Sequence, residues 1–220
     1  WAVVLASAST LTLTAAGSGI SDLATNPLLV GANETFAVDL TNPTVVDVSA
    51  GWGSSGRVSI FPNVNRVLPF LNVDRLFIRF SKNVNVDLAD VRLTGKTLNY
   101  TNGGSLSYDS ATFTATVMLN RPIAVAERLQ LRLDGAPPNG INDGIRFLEN
   151  GVFNFSTGAL TGDFDGDGIV TIIDANLVRN NIPSVGLVST YVVWADINGD
   201  GVVNYSDHDA VRNRIGNRLP

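Results

Sequence analysis

Several features that would define a common functional class are scarce or missing in this 220-residue sequence. It has no cysteine, which excludes disulfide bonds and thiol chemistry. It has one histidine, His208, and no Ser or Thr has an evident histidine partner for nucleophilic catalysis. No apolar run reaches the roughly 18–20 residues needed to span a membrane. We therefore expect a non-catalytic protein without a membrane span.

Positive charge is sparse as well, and this limits the partners that the chain can take. The net charge is −5, and only two of the 15 basic residues are lysine. Because no basic patch is present to meet phosphate groups, we do not expect a nucleic-acid partner. The last 60 residues carry most of the negative charge, with eight Asp against four Arg. A bound cation would cancel that local excess.

The composition of the rest of the chain favours β-structure. Hydrophobic residues make up 45% of the sequence and charged residues 16%, and the Thr and Val content suits strands. In Val73–Phe80, alternation places Leu76, Ile78 and Phe80 on one face of a strand. Further strand patterns recur at intervals of roughly 10 to 20 residues, with Gly, Asn or Asp turns between them. Residues 43–158 are therefore predicted to form an antiparallel, immunoglobulin-like sandwich. A short linker is predicted to follow at Ser156–Gly162.

An internal repeat with a period of about 120 residues links the start of the chain to this sandwich. Gly19–Asp22, for example, matches Gly140–Asp143. Residues 1–42 therefore resemble the last third of a domain whose complete copy follows. Three short strands are predicted there, at Ala2–Leu5, Leu11–Thr14 and Thr35–Val38. Because a complete sandwich needs about seven strands, we expect the missing ones to come from more of the polypeptide or from a neighbouring subunit.

The pattern R-L-F-I-R-F-S-K-N-V, followed by G-I-x-D and a final F-x-F strand, has a parallel in known proteins. It is similar to the bacterial Ig-like repeats of large surface proteins. The resemblance covers residues 1–158 and consists mostly of hydrophobic alternation. It implies one partial and one complete Ig-like domain. Trp52 and Trp194 are interpreted as core or rim residues and not as a sugar-binding platform.

Two oxygen-rich segments of twelve residues stand out near the C-terminus. The first reads D-F-D-G-D-G-I-V-T-I-I-D, from Asp163 to Asp174, and the second reads D-I-N-G-D-G-V-V-N-Y-S-D, from Asp196 to Asp207. We call them the first loop and the second loop. Each has oxygen-bearing side chains at positions 1, 3, 5, 9 and 12 and Gly at position 6. Calcium takes six to eight oxygens at about 2.3–2.6 Å, and this spacing supplies them.

The loops therefore predict two calcium ions, with ligands assigned by position. The predicted ligands of the first loop are Asp163, Asp165, Asp167, Ile169 through its carbonyl, Thr171 through water, and Asp174. Those of the second loop are Asp196, Asn198, Asp200, Val202 through its carbonyl, Asn204 and Asp207. A pair of acidic surface turns is the alternative, but two such loops in register argue against it. Val170 and Val203, at position 8, are expected to meet in a short apolar strand contact.

The duplication continues past the loops, with Leu177–Asn180 aligned on Ala210–Asn213 and a helix predicted from about position 10 of each loop. Two such loops, each followed by a helix and closed by Asp at position 12, resemble the type I dockerin module. The resemblance covers about residues 161–220. It implies calcium-dependent docking to a cohesin domain through loop positions 10 and 11 and the following helix. The residues that this implies for partner binding are Ile172, Ile173, Leu177, Tyr205, Ser206 and Val211. The sequence departs here from the Ser-Thr pair that cellulosomal members often carry.

Three functions agree with these features. The first is a non-catalytic, extracellular structural or adhesive protein that docks to a cohesin-like partner or to another copy of itself. The second is a self-assembling filament or surface-layer subunit. The third is a set of accessory domains from a secreted carbohydrate-active enzyme. In each of them calcium is expected to hold residues 161–220 folded, so that a chelator would unfold this segment and leave the sandwich intact.

Overall fold

The computed structural model describes residues 7–15, 19, 21, 25–27, 30–62, 66–183 and 191–220. The chain divides into two compact units, Trp1–Asn42 and Pro43–Pro220. The predicted strand Ala2–Leu5 lies outside the described residues. In the first unit, β1 (Ser7–Leu13) pairs with β2 (Ala32–Val38) in an antiparallel, two-stranded sheet.

The second unit contains a β-sandwich of two antiparallel sheets. Its strands are β3 (Val45–Trp52), β4 (Gly56–Phe61), β5 (Val73–Phe80), β6 (Val91–Thr94), β7 (Ser105–Asp109), β8 (Thr114–Met118), β9 (Ala126–Asp134) and β10 (Val152–Leu160). One sheet has the order β4-β3-β5-β8-β7, and the other has the order β10-β9-β6. Short 3-10 helices occur at Leu88–Asp90, Glu149–Gly151 and Val193–Ala195.

Alternating apolar residues of both sheets meet to form the sandwich core. On β5, Leu76, Ile78 and Phe80 are buried, as their alternation predicts, and the leucines of β9 are buried opposite them. Fully burying a side chain of this size contributes ~1.5–3 kcal/mol. Trp52 at the end of β3 and Tyr100 are the largest fully buried side chains.

The two units share a local arrangement that agrees with the internal repeat. β9 and β10 pair in antiparallel fashion, as β1 and β2 do. Between β9 and β10 an isolated bridge joins Asn142 to Phe147, and between β1 and β2 one joins Ser21 to Pro27. The partial copy therefore has the same strand pairing and the same intervening bridge as the corresponding part of the complete copy.

The described residues 161–183 and 191–220 form a small helical module that directly follows β10. It contains α1 (Ile172–Arg179) and α2 (Tyr205–Arg212), which pack around Leu160, Val178, Ile197 and Val211. The predicted linker at 156–162 is wrong, since β10 stays paired with β9 as far as Leu160. The strand extends this far because the side chain of Leu160 is buried in the core of the helical module. The strand patterns also missed β4.

Candidate metal centre

Buried carboxylates give the first loop its shape. The side chain of Asp163 is fully buried, and its Oδ1 and Oδ2 accept hydrogen bonds from the backbone N–H groups of Gly166 (2.8 Å) and Gly168 (2.9 Å). Asp174 is also fully buried, and its Oδ1 accepts from the N–H groups of Phe164 (2.8 Å) and Asp165 (3.1 Å). The backbone of the loop therefore curves around the carboxylates of its first and last residues.

The last residues of the loop also set the start of α1. Thr171 Oγ1 accepts from the N–H of Ile173 at 3.1 Å, and Asp174 Oδ2 accepts from the N–H of Thr171 at 2.7 Å. This reciprocal capping box satisfies two N–H groups that the first helical turn would leave unpaired. The helix therefore begins at Ile172, position 10, as the sequence predicts.

The second loop repeats the same bonds. Asp196 Oδ1 and Oδ2 accept from the N–H groups of Gly199 (2.8 Å) and Gly201 (2.9 Å). Asp207 Oδ1 and Oδ2 accept from the N–H groups of Asn198 (3.1 Å) and Asn204 (2.9 Å). Asn204 Oδ1 in turn caps α2, which begins at position 10. Both copies thus fold identically around their position-1 and position-12 carboxylates.

Glycine is required at position 6 in both loops. Gly168 has φ of +89° and Gly201 has φ of +90°. This left-handed region is strained for residues with a Cβ atom. The bend lets the side chains at positions 3 and 5 fold back, and Asp167 Oδ1 and Asp200 Oδ1 accept from the N–H groups two residues on, at 2.8 and 2.9 Å.

The oxygens of the first loop converge in a way that suits a hard cation. One carboxylate oxygen from each of Asp163, Asp165 and Asp174 lies within 4.8 Å of the others. The pKa of Asp163 is raised to about 6, chiefly by burial and also by the nearby charges of Asp174 and Asp167, while hydrogen bonds from Gly168 and Gly166 oppose the shift. Buried, mutually repelling carboxylates need a compensating cation, and an all-oxygen donor set fits calcium.

The assignment of individual residues as calcium ligands stays a prediction. Thr171 and Asn204 at position 9 also serve as helix caps. The expected contact between Val170 and Val203 is wrong. Both residues are buried, but the backbone of Val170 pairs with the C-terminal segment, through Asn217 O and the N–H of Gly216, each at 2.9 Å. The segment after α2 therefore lies along the first loop, and its backbone satisfies the N–H and carbonyl groups of Val170.

The residues predicted for partner binding divide by exposure. Ile172 is 55% exposed, Ile173 58% and Tyr205 63%, while Ser206 is exposed and Leu177 half-buried. Val211 is fully buried in the core of the module, so its assignment to the binding surface is wrong. Helical spacing identified an apolar face of α2 but not which part of it packs inward. Sequence reasoning also missed the exposed side chains of Val202 and Ile215.

The described part of the chain thus combines a β-sandwich with a C-terminal module of two oxygen-rich loops, each of which starts a helix. The family model of the Dockerin type I domain matches residues 161–216, so this segment is similar to that family. Such domains bind calcium and dock to other proteins. No curated protein matches the chain significantly. Within the part of the chain that the structure describes, no helix is long and apolar enough to cross a bilayer.

Among solved structures, the chain is similar to the N-terminal part of the bacterial S-layer protein SbsC. The sequence identity is 13%, and the TM-score is 0.33 over 56% of this chain. The match covers 24% of that structure's chain.

Calcium binding is expected to weaken as the pH falls through about 6. Asp163 must lose its proton to bind calcium, and its raised pKa, about 6, means that a proton competes below that value. At pH 5 the affinity of the first loop should be roughly tenfold lower than at pH 7. Burial raises the pKa of Asp207 as well, so the second loop should follow the same direction. Calorimetric titration at the two pH values checks this, and equal affinities would contradict it.

The metal-free module should show the opposite dependence on pH. The pKa of Asp163 is about 6 in the fold against an ordinary 3.8, so the folded form holds its proton over a range where the unfolded form has lost it. In chelator, the contribution of this group to the free energy of unfolding is therefore fully present below about pH 4 and is lost as the pH rises through 6. Thermal unfolding in chelator, followed by helical circular dichroism, measures it, with Asp163→Asn as the variant that removes the titrating group.

Proposed function

We propose that this chain is a non-catalytic docking component of an extracellular or cell-surface assembly. The observation that carries the proposal is the exposure of apolar side chains at position 10 of both loops, Ile172 and Tyr205, next to the helix caps. Large apolar side chains exposed in a cluster typically mark interaction sites. Millimolar extracellular calcium suits loops of this kind.

The coupling between calcium and docking follows from the shared residues. Asp174 is both a predicted ligand and a member of the capping box of α1, and Ile172 and Ile173 are the first two residues of that helix. A cation that holds Asp174 therefore also holds the start of the helix, and with it the direction of the two isoleucine side chains. Without the cation, repulsion among the carboxylates opposes that geometry. Docking through this face would consequently require calcium.

The partner in this proposal is a cohesin-like domain or a second copy of the chain. The two faces differ, because positions 10 and 11 are Ile-Ile in the first loop and Tyr-Ser in the second. The first offers an apolar contact, and the second offers an aromatic ring with a hydroxyl group. We expect the partner to prefer one face over the other.

Measuring the mass of the assembly with and without chelator tests the proposal. Sedimentation of the full chain, alone and mixed with a panel of cohesin domains, should give a calcium-dependent complex in at least one mixture or in self-association. Chelator should dissociate that complex. A chain that binds calcium yet stays monomeric with every partner would contradict docking through this module.

Self-assembly into a filament or surface layer is a second candidate, and it is favoured by the first unit. In its described residues that unit contains one two-stranded sheet, β1 with β2. A two-stranded sheet is at best marginally stable in water. Strand addition from a neighbouring copy would complete it. Self-association that survives chelator but is lost on deleting residues 1–42 would support this route, and monomers at all concentrations would contradict it.

A further inference from the structure

The second loop is bonded to the sandwich through its own backbone. Trp52, fully buried at the end of β3, donates from its indole Nε1 to the carbonyl oxygen of Asp196 at 2.8 Å. Asp196 is position 1 of the loop and a predicted calcium ligand, and the hydroxyl of Tyr191 also donates to its Oδ2 at 2.7 Å. The sandwich therefore fixes the backbone of a residue whose carboxylate is needed by the metal.

The turn between β3 and β4, residues 53–55, makes further contacts with the same loop. The N–H groups of Ser54 and Ser55 donate to the carbonyl oxygen of Gly199 at 2.9 and 3.2 Å. The approach is so close that a Cβ atom on Gly53 would lie 2.5 Å from that oxygen, and one on Gly199 would lie 2.6 Å from Cδ1 of Trp52. Two glycines therefore permit a contact that other residues would block.

A third connection comes from the segment before β5. The N–H of Leu71 donates to the carbonyl oxygen of Ile197 at 2.8 Å. Next to it, the Phe70 ring stacks on Trp52, with ring centroids 3.5 Å apart and planes 15° apart. Three of the first four carbonyl groups of the second loop, those of Asp196, Ile197 and Gly199, thus accept hydrogen bonds from the sandwich.

The first loop is attached less closely. Among the residues that the structure describes, two hydrogen bonds join it to the sandwich. The N–H of Asp163 donates to the carbonyl oxygen of Leu160 at the end of β10 (3.0 Å), and the guanidinium group of Arg66 donates to the carbonyl oxygen of Phe164. The first of these bonds joins residues only three positions apart in the sequence, and the second comes from a long side chain. The second loop is instead held by a buried indole and by backbone groups from distant parts of the sandwich. The two loops match in their own hydrogen bonds, so this difference must come from the sandwich.

We propose that the second loop is a joint calcium site of the sandwich and the module, with Trp52 as its positioning residue. The inference rests on calcium binding by the docking module. By fixing the carbonyl group of Asp196, Trp52 reduces the ordering that calcium binding requires at this loop. Residues that orient metal ligands typically change metal affinity by 10–100-fold when removed. By linkage, calcium at the second loop also stabilises the sandwich, contrary to the expectation from sequence that chelator leaves the sandwich intact.

The test uses the full chain and separates the two loops. Asp167→Ala silences the first loop and Asp200→Ala silences the second, so calorimetric calcium titration reports one site at a time. Trp52→Phe keeps a ring against Phe70 and removes the Nε1 donor. It should weaken calcium binding at least tenfold when only the second loop is active and leave it unchanged when only the first is active. Tyr100→Phe is the matched control and should change neither, because it removes a buried side-chain donor that bonds to Glu127 within the sandwich and to neither loop.

Two readings independent of affinity complete the test. In the wild type, the indole N–H resonance of Trp52 should shift on addition of calcium, and the unfolding temperature of the sandwich should rise with it. Equal losses at both loops with Trp52→Phe, or no loss at either, would overturn the inference. If Trp52→Phe does not fold, an unfolding temperature of the wild-type sandwich that is indifferent to calcium overturns it instead. A wild type that binds no calcium would refute the docking function itself, whereas binding at both loops without this selectivity refutes only the role of Trp52.

Discussion

Replacing Asp174 with alanine is expected to abolish calcium binding at the first loop and to unfold most of the helical module. The fully buried carboxylate accepts four hydrogen bonds, from the N–H groups of Phe164, Asp165 and Thr171 and from the Thr171 hydroxyl. These donors are only part-buried, so leaving each of them unpaired costs toward the lower end of ~1–3 kcal/mol. Loss of bound calcium removes a further ~2.7 kcal/mol at a hundredfold excess over Kd. Together these losses exceed the free energy of unfolding expected for a module of about 60 residues.

Helical circular dichroism and native mass spectrometry measure the two parts of this effect. The matched control is Asp209→Ala, because that carboxylate lies in the same module with its side chain 61% exposed beside His208. It should keep the helical signal and the calcium stoichiometry of the wild type. If Asp174→Ala binds as much calcium as the wild type and keeps its helices, the assignment of position 12 is wrong.

Replacing Ile172 with aspartate is expected to weaken docking by at least a hundredfold while calcium stays bound. The side chain is 55% exposed at the first position of α1 and takes no part in the hydrogen bonds of the loop. A charge placed at the apolar centre of an interface loses the desolvation that drives association and leaves an unpaired ion. The fold should tolerate it, since an acidic residue in the first turn of a helix is favourable.

Binding assays against the partner found by sedimentation provide the measurement. Ile145→Asp is the control, since Ile145 is 64% exposed on the sandwich and the substitution is chemically identical. Tyr205→Asp examines the corresponding position of the second loop. Docking that survives both Ile172→Asp and Tyr205→Asp would place the interface on another surface.

The local features of the module could be predicted well from the sequence. Both helices begin at position 10 because the residues that cap them, Thr171 with Asp174 and Asn204 with Asp207, lie within four residues of the start. Interactions of such short range depend little on the rest of the fold. The buried face of β5 could also be predicted from the sequence, because its apolar residues alternate and therefore lie on one side of the strand.

Features that depend on distant parts of the chain could not be predicted. The backbone of Ser54 and Ser55, in the turn between β3 and β4, donates to the carbonyl oxygen of Gly199 in the second loop, and the sequence analysis did not predict this contact. Trp52 was interpreted as a core or rim residue, and it is fully buried, but its indole also bonds to a residue 144 positions away, which the sequence did not predict. Nothing in the local sequence of either segment indicates its partner, because such contacts exist only after both sheets and both helices have packed.

Val211 shows the same division within one helix. Its spacing relative to Ala210 and Ile215 indicates an apolar face on α2, and the amino-acid order alone determines that periodicity. Packing against α1 and Leu160 makes Val211 a fully buried core residue, whereas Ile215 lies beyond the end of α2 and is 47% exposed. The oxygen spacing of the two loops, their glycines and their helix caps are likewise properties of short segments. The burial of the carboxylates, the raised pKa of Asp163 and the attachment of the second loop to Trp52 arise from packing, because each needs atoms brought together from separate parts of the chain.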